Sequence, residues 1–277
     1  MNHAEFRQYF YQSLTAHYLQ SELMEIYHWC MEEIHGFTRV SAYLHNDDAV
    51  SEDALSQWKE VITRLKNNEP VQYIFQKAFF RDLVLSVNPS VLIPRPETEE
   101  LVQLVLDHEG QDKIKVLDIG TGSGCIPLSL KHERAKWQVS GVDVSEQALE
   151  VARRNATQLG FEVNFELMNV LEIENLEGKV DVIVSNPPYI PQTLLAGMDE
   201  NVKKHEPHLA LFVPDTKPFL FFEKVTELAI NAGAKSIYFE THATEMNALK
   251  AALATIWKSE ITSHFDLSGK ERFLRLV

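Results

Sequence analysis

The sequence predicts an α/β protein: a mostly parallel, doubly wound, Rossmann-like sheet of seven strands, preceded by a small N-terminal helical domain. Three observations point there. From residue 97 onward, apolar runs of strand length alternate with segments of helical periodicity, a pattern that builds a parallel sheet with its ligands at the carboxyl ends of the strands. Three of the 11 glycines fall within residues 120–124, directly after one of those runs. Before Val71 the apolar residues recur at helical spacing instead.

Taken in order, Phe6, Tyr9, Phe10, Leu14 and Tyr18 follow the i, i+3, i+4 spacing of one helical face. Leu23, Ile26 and Tyr27 continue it, and Leu55, Trp58, Ile62 and Leu65 repeat it after a Ser51 N-cap signal. Residues 71–87 alternate loosely and are rich in Phe, Tyr and Val, which predicts a hairpin or short extended connector. The expected domains are therefore a helical bundle over 1–70, a β-hairpin connector over 71–93 and a sheet domain over 94–277. In the last, strands are expected at 114–118, 138–143, 162–167, 180–185, 235–240, 259–265 and 271–276. Helices are expected from about residue 125, over 145–159 behind a Ser145 N-cap, and over about 218–231 and 243–257.

At 277 residues the chain is long enough for two domains, and 45% hydrophobic with 24% charged residues is ordinary globular composition. Two cysteines, Cys30 and Cys125, build neither a disulfide framework nor a four-cysteine zinc site. His205 and His208 have no third ligand at a sensible spacing, so no metal is expected. No apolar run reaches the ~18 residues of a membrane span, and the polar start Met1-Asn2-His3-Ala4-Glu5-Phe6 does not resemble a signal peptide. A soluble, cytoplasmic protein is expected. The net charge is −14, and neither residues 1–90 (7 basic, 12 acidic) nor residues 91–277 (19 basic, 28 acidic) are basic. Binding a phosphate backbone by counterion release needs a positive surface, so no direct nucleic-acid binding is expected and a protein substrate fits better.

Two motifs carry the chemistry. In Val116-Leu117-Asp118-Ile119-Gly120-Thr121-Gly122-Ser123-Gly124, glycines after a strand let the backbone approach a ligand where side chains would collide. Asp143 ends the next strand, 23 residues past Gly120, where a carboxylate can accept both ribose hydroxyls of a nucleoside. The G-x-G-x-G spelling departs from the dinucleotide fingerprint. With Asp118 before it, the loop resembles the S-adenosylmethionine loop of class I methyltransferases, in which an acidic residue faces the cationic methionine portion.

The second motif is Asn186-Pro187-Pro188-Tyr189, closing the strand Asp181-Val182-Ile183-Val184-Ser185. Prolines fix the backbone and cannot donate, so their carbonyls remain acceptors. The Asn186 amide oxygen is a further acceptor, and Tyr189 offers a flat face. Together they suit a planar –NH2, and the loop and cradle in this order resemble methyltransferases that alkylate exocyclic or amide nitrogens.

The strings Glu69-Pro70-Val71-Gln72-Tyr73-Ile74 and Val91-Leu92-Ile93-Pro94-Arg95-Pro96-Glu97-Thr98-Glu99 narrow the choice. With Glu206-Pro207, Ala210-Leu211-Phe212 and the closing residues 266–274, they make the chain from about residue 60 onward similar to the peptide chain release factor glutamine methyltransferases, the PrmC/HemK family. The resemblance implies methyl transfer from S-adenosyl-L-methionine to the side-chain nitrogen (N5) of the glutamine in the Gly-Gly-Gln loop of class I release factors; a monomer is expected. It implies that Asn186, Pro187 and Tyr189 are catalytic and, with Pro188, hold the substrate. The cofactor would be held by Asp118, Gly120, Thr121, Gly122, Ser123, Gly124, Asp143, Asn169, Val170 and Asn186. The helical segment would recognise the substrate. The family's glycine near Gln76, its Tyr at His205 and the glycine pair at Val213-Pro214-Asp215 are absent, and Asn169 stands where the family has an acidic residue. The alternatives are an adenine or guanine N-methyltransferase acting on nucleic acid through the same cradle, and a ribosomal-protein glutamine methyltransferase.

Overall fold

The computed structural model describes residues 1–277, apart from the side chain of residue 243. The chain divides into two compact units, Met1–Gln76 with Asp199–His205, and Lys77–Met198 with Glu206–Val277.

The first unit is helical. Helices α1 (His3–Leu14), α2 (Gln20–His35), α3 (Arg39–Leu44), α4 (Glu52–Lys66) and the single turn α5 (Val71–Ile74) surround a core of Phe6, Phe10, Leu14, Tyr27 and Trp58. Asn2 and Glu5 close α1 with a reciprocal capping box, and the Ser51 hydroxyl accepts from the Ala54 N–H at 3.2 Å to start α4. Tyr27 stacks on Trp58 at 5.5 Å between centroids. Two expectations are corrected here. Tyr9 points outward and is 47% exposed, and Tyr18 lies beyond the end of α1, its hydroxyl donating to the Leu65 carbonyl at 2.8 Å. Residues 71–74 are helical rather than extended, because Val71 and Ile74, three apart, turn together into the helical core.

The connector is correspondingly shorter than 71–93: a hairpin of β1 (Lys77–Phe80) and β2 (Leu83–Ser86). Gln76, the position where the family has a glycine nearby, takes φ 52°, a left-handed conformation that glycine adopts without steric cost. Residues 199–205, expected within the sheet domain, group with the helical unit, where the His205 ring nitrogen Nε2 lies 3.0 Å from the Asn67 carbonyl.

The second unit holds α6 (Pro96–His108), β3 (Lys115–Ile119), α7 (Cys125–Glu133), β4 (Gln138–Asp143), α8 (Glu146–Leu159), β5 (Asn164–Leu167) and β6 (Val182–Ser185). The pair β7 (Ile190–Pro191) and β8 (Phe212–Val213) follows, with α9 (Glu200–His205) between them in sequence. The chain then runs through α10 (Leu220–Ala232), β9 (Ser236–Glu240), α11 (Met246–Leu253), β10 (Ile261–Phe265) and β11 (Glu271–Leu276). The seven-stranded sheet has the order β10-β11-β9-β6-β3-β4-β5, with only β10 and β11 antiparallel to their neighbours.

Alternate residues feed two cores. Val116, Val182, Val184 and Tyr238 face Leu101, Leu128 and Leu149 of α6, α7 and α8, whereas Leu117, Ile183, Ile237 and Phe239 face Val225, Leu228 and Leu249 of α10 and α11. The helix expected over 243–257 is a 3₁₀ turn followed by α11 ending at Leu253. Helix α6 was not anticipated: its N1 proline and first-turn Glu97 and Glu99 are ordinary start signals, but the surrounding prolines obscure them.

Asn155 of α8 is fully buried. Its Nδ2 donates to the Ser86 carbonyl (3.0 Å) and the Ser123 carbonyl (2.9 Å), while its Oδ1 accepts from the Ser86 N–H (2.7 Å). One amide thus ties the hairpin to the glycine loop. Asn155→Ala removes three buried hydrogen bonds and is expected to cost ~2–4 kcal/mol in chemical denaturation, each bond contributing about 0.5–1.5 kcal/mol with a further penalty for the orphaned groups.

Candidate active site

Strand β3 lies beside β6 in parallel register, Ile119 opposite Ser185, and the chain departs from these two strands to opposite sides of the sheet. Such a switch point leaves a crevice beyond the carboxyl ends. The first residues past those ends are Gly120 and Asn186, so the register itself brings the two motifs together. Ser185 fastens the edge by donating from Oγ to the Ile119 carbonyl at 2.6 Å. Strand β9 pairs on the other side of β6 with Phe239 opposite Ser185, so Glu240 arrives beside Asn186.

The glycine loop is held from both sides. The N–H groups of Gly120 and Thr121 both donate to the Val142 carbonyl (2.9 and 3.0 Å), and the Gly124 N–H donates to the Thr121 carbonyl at 2.8 Å. Gly120 and Gly122 have φ 77° and 54° and open space where a Cβ would stand, so backbone is presented outward. Gly124 instead meets packing, with Ala152, Leu128 and Phe165 atoms at 3.2 Å from a Cβ position. A glycine that the motif did not contain is as constrained: a Cβ on Gly141 of β4 would stand 2.6 Å from Thr121 Oγ1.

Asp118 is fully buried, and neither carboxylate oxygen has a hydrogen-bond partner among the described residues. Burial pushes its pKa up to about 7 against the pull of the neighbouring Thr121 hydroxyl, and the charge on Asp143 adds to the rise. The hydroxyls of Thr121 and Ser123 are also buried, beside Asp118 and the Cys125 thiol, and neither makes a hydrogen bond of good geometry among the described residues. An unpartnered carboxylate and two unpartnered hydroxyls around an open glycine loop are what a cationic, hydrogen-bonding ligand would complete. The site therefore fits the methionine portion of S-adenosylmethionine.

Asp143, half-buried, accepts from the Gly122 N–H through one oxygen and from the Ser145 N–H through the other, both at 2.9 Å. Its carboxylate thus clasps the loop, and each oxygen retains a lone pair for a further donor. Asn169 forms a local turn by accepting from the Leu171 N–H at 3.2 Å, while the Val170 side chain is buried in the core.

In the second motif Pro187 is buried, and Asn186, Pro188 and Tyr189 are half-buried. Asn186 donates from Nδ2 to Thr98 Oγ1 at 3.2 Å, which leaves Oδ1 as the acceptor of that amide. Tyr189 packs against the β9 and α10 side of the sheet, 6.4 Å from the His242 ring, and burial raises its hydroxyl pKa. Arg95 pairs with the buried Glu206 at 2.5 Å, and Glu97 lies 3.8 Å from Arg272. Cys125 is packed in the core, and burial pushes its thiol up to about 12, which disfavours the thiolate. Among the described residues no three His, Cys, Asp or Glu side chains form a metal-binding group, and no helix is long and apolar enough to cross a membrane. Gly141, Asn155 and Glu240 carry no signal in the sequence, and Thr98 stands there only as a member of the string 91–99 with no role of its own. A lone Glu closing a strand or an Asn inside a helix carries no signal until its neighbours are known.

Residues 97–202 match the family model of the methyltransferase small domain, and residues 5–75 match the PrmC N-terminal domain. A release factor glutamine methyltransferase of Flavobacterium psychrophilum is 35% identical, with 98% of this chain and 97% of the relative covered. One of Bacteroides thetaiotaomicron is 36% identical, with 96% of each chain covered, and one of Bacillus subtilis is 36% identical over 86% and 85%. Among solved structures, a methyltransferase from Pyrococcus furiosus superposes with a TM-score of 0.52 at 18% identity, covering 79% of this chain and 98% of that one. The hMettl16 catalytic domain in complex with the MAT2A 3'UTR hairpin 1 does so with 0.53 at 16%, covering 69% and 74%. Structural likeness at this identity establishes the shared fold alone. The near-full-length relatives go further: this chain is an S-adenosylmethionine-dependent methyltransferase and belongs to the release factor glutamine methyltransferase family.

Proposed function

We propose that the chain methylates the side-chain nitrogen of the glutamine in the Gly-Gly-Gln loop of class I release factors. The observation that carries this reading is the Asn186 amide, tied down through its nitrogen so that its oxygen is the acceptor offered beside the glycine loop. A glutamine amide presents two N–H donors in a plane, and Asn186 Oδ1 with the Pro187 carbonyl supplies two acceptors on adjacent residues. The helical unit is assigned recognition of the protein substrate.

The cofactor would be held by Asp118 at its cationic end, by the backbone of Gly120 to Gly124 and by Asp143 at the ribose, with Asn169 and Val170 toward the base. When bound it supplies an electrophilic sulfonium methyl. An amide nitrogen is a poor nucleophile because its lone pair is delocalised into the carbonyl, and no side chain here is suited to deprotonate it. The residues work by orientation and charge placement. Asn186 and Pro187 accept the two N–H bonds and direct the nitrogen lone pair. They also stabilise the positive charge that develops as nitrogen forms its bond to carbon, before the surplus proton passes to water. Tyr189 packs on the amide plane. Such alignment contributes ~7–11 kcal/mol in favourable cases, and losing one preorganised polar group costs ~2.7–4 kcal/mol.

The reading is tested by labelled-methyl transfer to a purified release factor, to its Gly-Gly-Gln glutamine→alanine variant and to duplex DNA. Label is expected on the intact factor alone; label on DNA or on the alanine variant rejects the substrate. Asn186→Ala is expected to lower turnover by about 10²–10³-fold while cofactor binding by calorimetry persists through the glycine loop, Asp118 and Asp143, weakened only by the loss of the Asn186 contact.

Asp118 gives a second test. Without ligand its carboxyl titrates near about 7, and an adjacent cation favours the ionised form. Cofactor binding should therefore release a proton below that pH, and affinity should fall as pH drops from 8 to 6. Calorimetry on Asp118→Asn is expected to show weaker binding without that part of the pH dependence. An unchanged pH profile in the variant removes Asp118 from the cation site.

A further inference from the structure

Thr98 and Glu240 lie outside both motifs, yet they are joined by hydrogen bonds to Asn186, the group on which the proposed chemistry depends. Thr98 stands in the first turn of α6 and is 3% exposed; Glu240 ends β9 and is 2% exposed. Thr98 Oγ1 donates to Glu240 Oε2 at 2.7 Å and accepts from Asn186 Nδ2 at 3.2 Å. These bonds have a forced direction. An ionised carboxylate only accepts, so the single hydroxyl proton of Thr98 is committed to Glu240. The Thr98 oxygen then has only lone pairs to offer, and an asparagine can meet them only with its –NH2.

We propose that Thr98 and Glu240 are positioning residues that fix the flip state of the Asn186 amide, holding its nitrogen inward and its oxygen toward the substrate. The inference rests on the reading that Asn186 accepts a hydrogen bond from the substrate nitrogen. Without the relay the two ends of the amide are nearly isosteric. The reversed amide would offer two donors to a substrate group that also brings donors, and one such rotation converts the cradle from attraction to repulsion. Three segments far apart in sequence, at residues 98, 186 and 240, are therefore needed to define one acceptor.

Burial and the surrounding arginines act on Glu240 in opposite directions. Burial pushes its carboxyl up to about 7, against the pull of the Thr98 hydroxyl, Arg272 and Arg95 and with the added push of Glu97. Glu240 in turn raises the pKa values of Tyr189 and Cys125. Arg272 is held by Asp266 at 2.8 Å. At pH 8 the carboxylate is the ionised acceptor that the relay needs.

The first measurement is made on the intact wild-type protein at pH 8, with ¹⁵N-labelled asparagine and methyl-labelled threonine. The Asn186 side-chain –NH2 signals are identified by their loss in Asn186→Ala. A nuclear Overhauser effect from these protons to Thr98, with slow exchange against water, is the expected result. Its absence means that the amide points the other way and overturns the proposal whatever the substrate. The second measurement is kinetic. Thr98→Val keeps the side-chain shape without the hydroxyl and is expected to lower kcat by about tenfold, the worth of one hydrogen bond, with KM for the release factor and the cofactor Kd little changed. Thr98→Ser restores the hydroxyl and should recover most of the loss. An unaltered kcat in Thr98→Val, or a loss that serine fails to rescue, also overturns the assignment. If the wild type transfers no methyl to a release factor, the proposed substrate falls, and the magnetic resonance result still decides the orientation of the amide.

Discussion

The parallel pairing of β3 with β6 is the constraint on which the site depends. Register across a sheet is set by backbone hydrogen bonds and by which face each side chain must occupy, and a slip of one residue would exchange the two cores. Val116 and Leu117 on one strand, and Val182 and Ile183 on the other, divide between opposite faces with no tolerance for such a slip. Holding Ile119 opposite Ser185 consequently fixes where Gly120 and Asn186 begin. The bond from Ser185 Oγ to the Ile119 carbonyl then joins the two strand ends at the rim of the crevice.

Around that rim the chain accepts costs that a purely structural sheet would avoid. Asp118 is a buried carboxylate without an internal partner, and Glu240 is a second buried acid at the same edge. Asp118 is destabilising in the ionised form until something positive or hydrogen-bonding completes it, whereas Glu240 already accepts from Thr98. Surrounding order offsets the cost: Asn155 anchors Ser123, Asp143 clasps Gly122, and Gly141 leaves room for Thr121. These contacts set the backbone of the loop before any ligand arrives, which is what preorganisation requires.

The sheet does not by itself choose a substrate. The same architecture occurs in the Pyrococcus furiosus methyltransferase and in the hMettl16 domain at 16–18% identity, so the fold alone fixes no substrate. The acidic balance of the chain is a physical reason to favour a protein over a nucleic acid, and near-full-length likeness to release factor glutamine methyltransferases points the same way.

Much of this was legible in the residues alone. Strand–helix alternation after residue 97 gave all seven strands of the main sheet to within a few residues, because periodicity is a local property of the chain. The glycine loop, Asp143 and the Asn-Pro-Pro-Tyr cradle were legible for the same reason: each is a contiguous string or a residue at a strand end. Where local signals competed, the reading slipped. Prolines hid α6, and loose alternation made the helical turn at 71–74 look extended. What the sequence determined by itself was the identity of the groups and the strands that carry them. Only the tertiary structure decided how those groups are held. Thr98, Asn186 and Glu240 meet because α6, β6 and β9 converge at one sheet edge, and a hydrogen bond between residues 88 or 142 positions apart leaves no trace in local spacing.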